Sequence, residues 1–519
     1  MKKMNLLAMS LVSAAALSFS SCSSNDDLTG GAGTQSQVKG FYMTLAVQTP
    51  TSNETRTILP DGTDKREDAT AVEAAVKSGT FYLVDEKGSV VFSKTLTGQD
   101  WSGAINNPAT AAKDGKTTLK IEVENVAAGA TYKVYFKAGS TNMDTVEPFT
   151  ITTGTSQTGV FTAEGITQTF SAKSDFAKPC AVDNDFSMFN QNDATTNGNG
   201  YTVKFTNQNK EGAKDFKPAE VTFGGKVAPI KIERVTARVD VPTSASTLTQ
   251  EALPADASAA LKKAVDDAKK KVSKIELVRY ALSNVTNKTY VMQNWNVAND
   301  VWSLEIPLDA TLSQTKDDFG SKYLLKDGCF KALTGATNDY IFENNKSDAT
   351  AMYFEYKVTL SEDLTKKGVA DFEDGTFYRY NNVIYTSFAQ ILKAYADVTG
   401  LFDGKSATDL QTELKEAKTE PTVETDESVE TKLAEFRAQY GIEVFNEGKT
   451  YYKQVIKDNQ LDKDVIQRNT IYRLNVNKIF NVGAQVPNGE IDKNGLFYLD
   501  VTVTVNPWVL NTQDVTLGD

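Results

Sequence analysis

The chain has 519 residues, 55 Lys and Arg against 67 Asp and Glu, a net charge of −12 and no histidine. The acidic balance argues against nucleic acid, whose phosphates require a basic surface; the missing histidine excludes Ser-His-Asp and Cys-His nucleophiles and imidazole metal sites. The length suggests two domains, and 40% hydrophobic and 10% aromatic residues supply material for their cores.

In "MKKMNLLAMSLVSAAALSFSSCSSNDD", Lys2 and Lys3 precede an apolar run from Leu6 to Phe19. This run is too short and wrongly flanked for a stable membrane span and reads as an export signal over residues 1–21. Cys22, after Ser20 and Ser21, reads as a lipoprotein box whose thiol is diacylated; the alternative is an ordinary signal peptide with a chance cysteine. Ser23 to Gln37 then forms a flexible tether. No other segment approaches the roughly 20 apolar residues of a bilayer crossing, so the mature protein is expected outside the cytoplasm and at most lipid-anchored. Cys180 and Cys329 are far apart, and spacing leaves a disulfide and two buried thiols equally open.

A short alternation at 39–49 leads into "VQTPTSNETRTILPDG", which is poor folding material with a bare Arg56. "FYLVDEKGSVVFSK" (81–94) is two strands around Asp85–Gly88, a hairpin signal. "TLKIEVENV" sets Leu119, Ile121 and Val123 against Lys120, Glu122 and Glu124, and "TYKVYFKAG" and "YTVKFTN" repeat the period of two. Antiparallel strands at such intervals point to a β-sandwich. "APIKIERVTARVDVPT" reads as one strand between Pro229 and Pro242, and a domain boundary is placed at 230/231.

Beyond it, "KIELVRYALSN", "KTYVMQNW", "AMYFEYKVTL" and "TIYRLNVNKIF" continue the strands. Helices are expected at 256–272, after Ser387, and at 429–440 before Gly441. Residues 404–428 read as a mobile surface insertion. In "LFYLDVTVTVNPWVLNTQDVTLGD", Leu499, Val501, Val503 and Val505 alternate with Asp500, Thr502 and Thr504 until Pro507 interrupts; Trp508 and Leu510 follow.

Carboxylate chemistry needs only an Asp/Glu pair, but "DFEDG" (371–375) and "NGEIDKNG" (488–495) read more simply as turns. No phosphate loop, calcium loop or metal cluster is present in the pattern, so neither cofactor nor enzymatic activity is expected. Trp295 and Trp302, in "MQNWNVANDVWSLEI", offer a stacking platform for a surface glycan-binding lipoprotein, the reading from another functional class.

The lipoprotein start, "TSNETR" after a first strand, "IERVTARVDV", "YYKQVI…VIQRNTIYRLNVNKI" and the closing "VTVTVNPWVL" together resemble the fimbrillins of Bacteroidia-type (type V) pili. The likeness is greatest to the main shaft subunit of the short, or minor, fimbria (Mfa-type). It implies a mostly β fold of two transthyretin-like sandwiches: an N-terminal one at 57–230 and a C-terminal one with helical insertions at 231–496. It also implies a lipidated propeptide at 22–56 and a donor region at 497–519. In such proteins an arginine-specific protease removes the lipid and the first strand, opening a groove that a neighbour's C-terminal strand fills. Carried over, the removed strand buries Phe41, Met43, Leu45 and Val47, with Tyr42, Thr44 and Ala46 outward. The cut falls between Arg56 and Thr57, with Arg66 the alternative. The donor residues are Leu499, Val501, Val503, Val505, Trp508 and Leu510. Implied partners are identical subunits head-to-tail, anchor and tip subunits, the protease, and host or bacterial surface receptors. The expected place is a surface fimbrium serving adhesion and biofilm, reached from an outer-membrane lipoprotein precursor; a tip adhesin is the alternative within the family.

Overall fold

A computed structural model describes residues 40–48, 67–69, 73, 79–96, 116–139, 169–171, 181, 186–192, 199–253, 255–298, 301–314, 329–422, 427–458, 461–486 and 499–510. The fold is mostly β, with sandwich-type packing of several sheets.

In the N-terminal sheet the strands run in the order 226–227, 219–223, 41–48, 230–234, 188–190, 131–138, 79–84 and 90–96. The strand at 116–123 pairs with 41–48, and 201–204 joins both 219–223 and 131–138. The expected hairpin forms: Asp85 accepts from the backbone N–H of Lys87 and of Ser89, and Gly88 sits at φ 81°, where its missing Cβ is an advantage. Inward residues of the alternating strands, among them Phe81, Ile121, Val134, Phe136 and Val203, make one core.

"IKIERVTARV" is two strands, not the single one expected. Ile230–Arg234 lies in the N-terminal sheet, and Ala237–Val239 pairs in another sheet with Asp339–Ile341 and Thr470–Ile479. The reason is burial on both sides of the break: Ile230 and Ile232 belong to the first core, Ala237 and Val239 to the second. That second core is built on Val272–Ser283, Ala351–Leu360 and Lys449–Val455, with Tyr280, Phe354, Tyr356, Tyr472 and Leu474 inside.

The helices form where amphipathic spacing placed them. Ala259–Lys271 is capped by Ser258, Phe388–Ala394 by Ser387, and Val429–Tyr440 ends at Gly441 with φ 68°. The expectation of a mobile insertion at 404–428 is corrected. Ala407–Ala417 is a helix started by a reciprocal Ser406–Asp409 capping box, with Leu410 and Leu414 fully buried in a helical core against Phe388, Leu433 and Phe436. No helix among the described residues is long and apolar enough to cross a membrane.

Charged side chains fill the space around the break at Val235. Glu73 accepts from Arg238 at 3.0 Å and from Tyr340, and its carbonyl accepts from Arg234. Arg468 and Glu343, both fully buried, pair at 2.8 Å; Gln293 and Thr289 also donate to Glu343. Removing one partner of such a pair strands the other charge and costs about 3–5 kcal/mol. Nearby Glu233 is 3% exposed. Burial pushes its carboxyl up to about 8, with Arg468 opposing and Glu343 adding.

An acid whose folded pKa exceeds its unfolded one binds its proton more tightly when folded. Its contribution is therefore fully present below the ordinary carboxylate range and is lost as pH rises, levelling off above about 8. Glu233→Gln should flatten the decline of stability over this window, which amounts to about 1.4 kcal/mol per pH unit for one proton. Denaturant midpoints measured from pH 5 to 9 test this; identical slopes in both proteins would remove the assignment.

Candidate functional site

The first strand, Phe41–Gln48, is an inner strand with ladder partners on both flanks. Lys116–Val123 lies antiparallel to it along its whole length, from Phe41 opposite Val123 to Gln48 opposite Lys116. On the other flank Met43 and Thr44 pair in parallel with Ala219 and Glu220, and Val47 and Gln48 with Ile230 and Lys231. Met43, Leu45 and Val47 are 0% exposed and sit in the N-terminal core. Each such side chain contributes about 1.5–3 kcal/mol by leaving water.

Phe41 is half-buried, its ring edge-on to Phe205 at 5.6 Å with the Lys210 ammonium 4.8 Å from its centre. On the opposite face, Tyr42 lies between Phe216 at 5.8 Å and the Lys120 ammonium at 4.5 Å, and its hydroxyl donates to Glu211. Tyr42 and Thr44 are half-buried, whereas Ala46, expected to face outward in the open, is 9% exposed. The outer face of the strand is thus closed over at its third position.

The closing strand, Leu499–Leu510, runs through Pro507 where an interruption was expected. From Leu499 to Pro507 it pairs antiparallel with Thr470–Ile479: Leu499 opposite Ile479, Val501 opposite Val476, Val503 opposite Leu474 and Val505 opposite Tyr472. At Trp508 the partner changes, and Trp508 to Leu510 lie parallel to Glu67–Ala69. Pro507 stands where the first ladder ends, a place at which its missing N–H costs little. Among the described residues the stretch 499–507 has one ladder partner, in contrast to the two flanks of the first strand.

Cys22, Arg56, Thr57, Arg66 and Cys180 lie outside the described residues. Cys329 is 5% exposed in a small cluster with Phe330, Tyr353 and Tyr451. Trp295 is buried at 3% exposure and donates from Nε1 to Gln293, which removes it from any exposed stacking face. The side chain of Trp302 is outside the described set; its backbone pairs with Val297. In "DFEDG", Asp371 accepts from the Tyr378 hydroxyl and the Phe388 N–H, and Asp374 accepts from Lys418 and from the Thr376 N–H, so both carboxylates hold local structure.

Sequence reasoning missed the charge cluster at the strand break. Its signal was the adjacent Glu233 and Arg234, with Arg238 four residues on, inside a run that otherwise reads as a strand.

Residues 443–514 match the family model described as "Major fimbrial subunit protein type IV, Fimbrillin, C-terminal". The matched stretch contains Lys449–Val455, Thr470–Ile479 and the closing strand. Among solved structures, the chain is similar to a fimbrilin from Porphyromonas gingivalis W83, at 14% identity and TM-score 0.40 over 92% of this chain and 100% of that one. It is also similar to a fimbrial assembly protein from Parabacteroides distasonis ATCC 8503, at 12% identity and TM-score 0.28 over 62% and 99%. A third is the fimbrial anchor protein Mfa2 from Porphyromonas gingivalis, at 9% identity and TM-score 0.22 over 61% and 78%. No curated protein matches.

The family match falls on the C-terminal strands of the fold, residues 443–514. The match bears out the resemblance to Bacteroidia-type fimbrillins.

Proposed function

We propose that the chain is the shaft subunit of a short cell-surface fimbria, exported as a lipoprotein acylated at Cys22 and cut after Arg56. Neighbouring subunits then join when a strand from the region 497–519 enters the slot vacated by Phe41–Gln48. The observation that supports this reading most is the placing of that first strand. It is held between two flanks of one sheet, carries three fully buried apolar side chains, Met43, Leu45 and Val47, and is followed within ten residues by a lone arginine.

Removing it leaves unpaired backbone groups on both flanks and an uncovered core lined by Ile121, Val123, Val221 and Ile232. Such a slot is relieved by strand addition. Donor and acceptor surfaces differ, so the contact is heterologous and propagates as a filament. Accessory anchor and tip subunits, an arginine-specific protease and surface receptors are the partners this role requires. The glycan-platform reading loses support because Trp295 is buried.

N-terminal sequencing of surface filaments tests the scheme. Thr57 as the first residue is expected; acylated Cys22 in assembled filaments would make this an anchor subunit instead.

A further inference from the structure

Resting on the strand-exchange reading above, we infer that the inserting segment is residues 497–504 of a second copy of this chain, and that it repeats the register of Phe41–Gln48 residue for residue. The first strand reads FYMTLAVQ and residues 497–504 read FYLDVTVT. Phe497 then takes the place of Phe41, Tyr498 of Tyr42, Leu499 of Met43, Asp500 of Thr44, Val501 of Leu45, Thr502 of Ala46, Val503 of Val47 and Thr504 of Gln48.

The groups that receive Phe41 and Tyr42 stay with the acceptor after the cut. Phe205 and Lys210 surround the first position, and Lys120, Phe216 and Glu211 the second. Residues 497–498 bring the same aromatic pair in the same order.

The next positions decide the register. Thr44 lies directly opposite Lys120, so Asp500 comes across from an ammonium. Glu220 flanks that position on the parallel side and is itself bridged to Lys217 at 2.6 Å. Opposite charges facing across a ladder are favourable and like charges are not.

The nearest even shifts each meet an obstacle. With Leu499 at the first position, Asp500 lies opposite Glu122 and the aromatic pair falls outside the slot. With Val501 there, Pro507 reaches the place of Val47, which is paired with both Thr117 and Ile230, and an inner strand has no room for a residue without an N–H. With Gly495 there, Asp500 reaches the place of Ala46, which is 9% exposed, and a carboxylate is driven into a closed position. Odd shifts turn every valine to the wrong face.

Paired cysteines read the register directly. Ala46 lies opposite Thr118 and Thr44 opposite Lys120. Filaments of full-length, processed chain carrying Thr118→Cys and Thr502→Cys should form an intersubunit disulfide on mild oxidation, mapped by mass spectrometry. Lys120→Cys with Thr502→Cys should do so about tenfold less, a difference of about 1.4 kcal/mol. A double variant that fails to polymerise can be tested by adding a synthetic peptide of residues 495–506 bearing Thr502→Cys to the trypsin-cut acceptor bearing Thr118→Cys. A dominant 120–502 link overturns the register and leaves strand exchange standing. Filaments that form with no link from 502 to any position of 116–122 overturn residues 497–504 as the inserting segment, and filaments that still contain residues 40–48 overturn the strand-exchange reading itself.

Discussion

Arg56→Ala should yield a folded, lipidated chain at the cell surface that no longer enters filaments. The uncut chain keeps Phe41–Gln48 in its own sheet, where Met43, Leu45 and Val47 are 0% exposed. Those three side chains alone contribute on the order of 5–9 kcal/mol by burial, and the ladders on both flanks add roughly 1 kcal/mol per hydrogen bond. An incoming strand of similar composition has no better side chains to offer. It must also displace a segment tethered to the slot, whose effective concentration is in the millimolar range or above. Polymer ladders on unheated gels should therefore vanish while monomer persists at the surface. Filaments from the mutant that begin at Glu67 would move the cut to Arg66; filaments that still contain residues 40–48 would end the exchange model.

Val503→Asp should abolish elongation, and Thr504→Asp should leave it largely intact. Alternation sends these neighbours to opposite faces, so only one of them meets the acceptor's core. Burying an unpaired carboxylate there costs several kcal/mol, comparable with the gain from the inserted strand. The mutation also touches the chain's own C-terminal sheet, where Val503 lies opposite Leu474. Mixing separates the two effects: a Val503→Asp subunit that is folded and cut can still accept a wild-type strand but cannot donate one, so a small admixture should shorten wild-type filaments. Equal loss at 503 and 504 would mean that no groove reads the alternation. Wild-type assembly of both variants would move the donor to the run beyond Pro507.

The β character of the chain was legible because its strands alternate cleanly, as in Leu119, Ile121 and Val123, and because Asp85 and Gly88 mark a turn with known chemistry. The helix at Ala407–Ala417 was missed because only Leu410 and Leu414 are large and apolar among many charges; the capping box at Ser406 and Asp409 was the readable sign. The lack of any Gly, Pro, Asn or Asp within it hid the division of "IKIERVTARV", since each half faces a different core and period alone does not say which. The inner place of the first strand was not legible at all. Its neighbours at 116–123, 219–223 and 230–234 are distant in sequence, and local pattern does not carry such pairings. Its buried face was legible from Met43, Leu45 and Val47, but the closure over Ala46 depends on groups that alternation does not specify.

Flanks on both sides of Phe41–Gln48 also bear on how a filament behaves under tension. A segment seated there and pulled along its own length loads the bonds on both flanks in shear, so they yield together instead of peeling one after another from an end. Rupture then follows the rate of a single concerted step, and the persistence of a fibre in flowing liquid is set by that barrier more than by the equilibrium affinity of one joint.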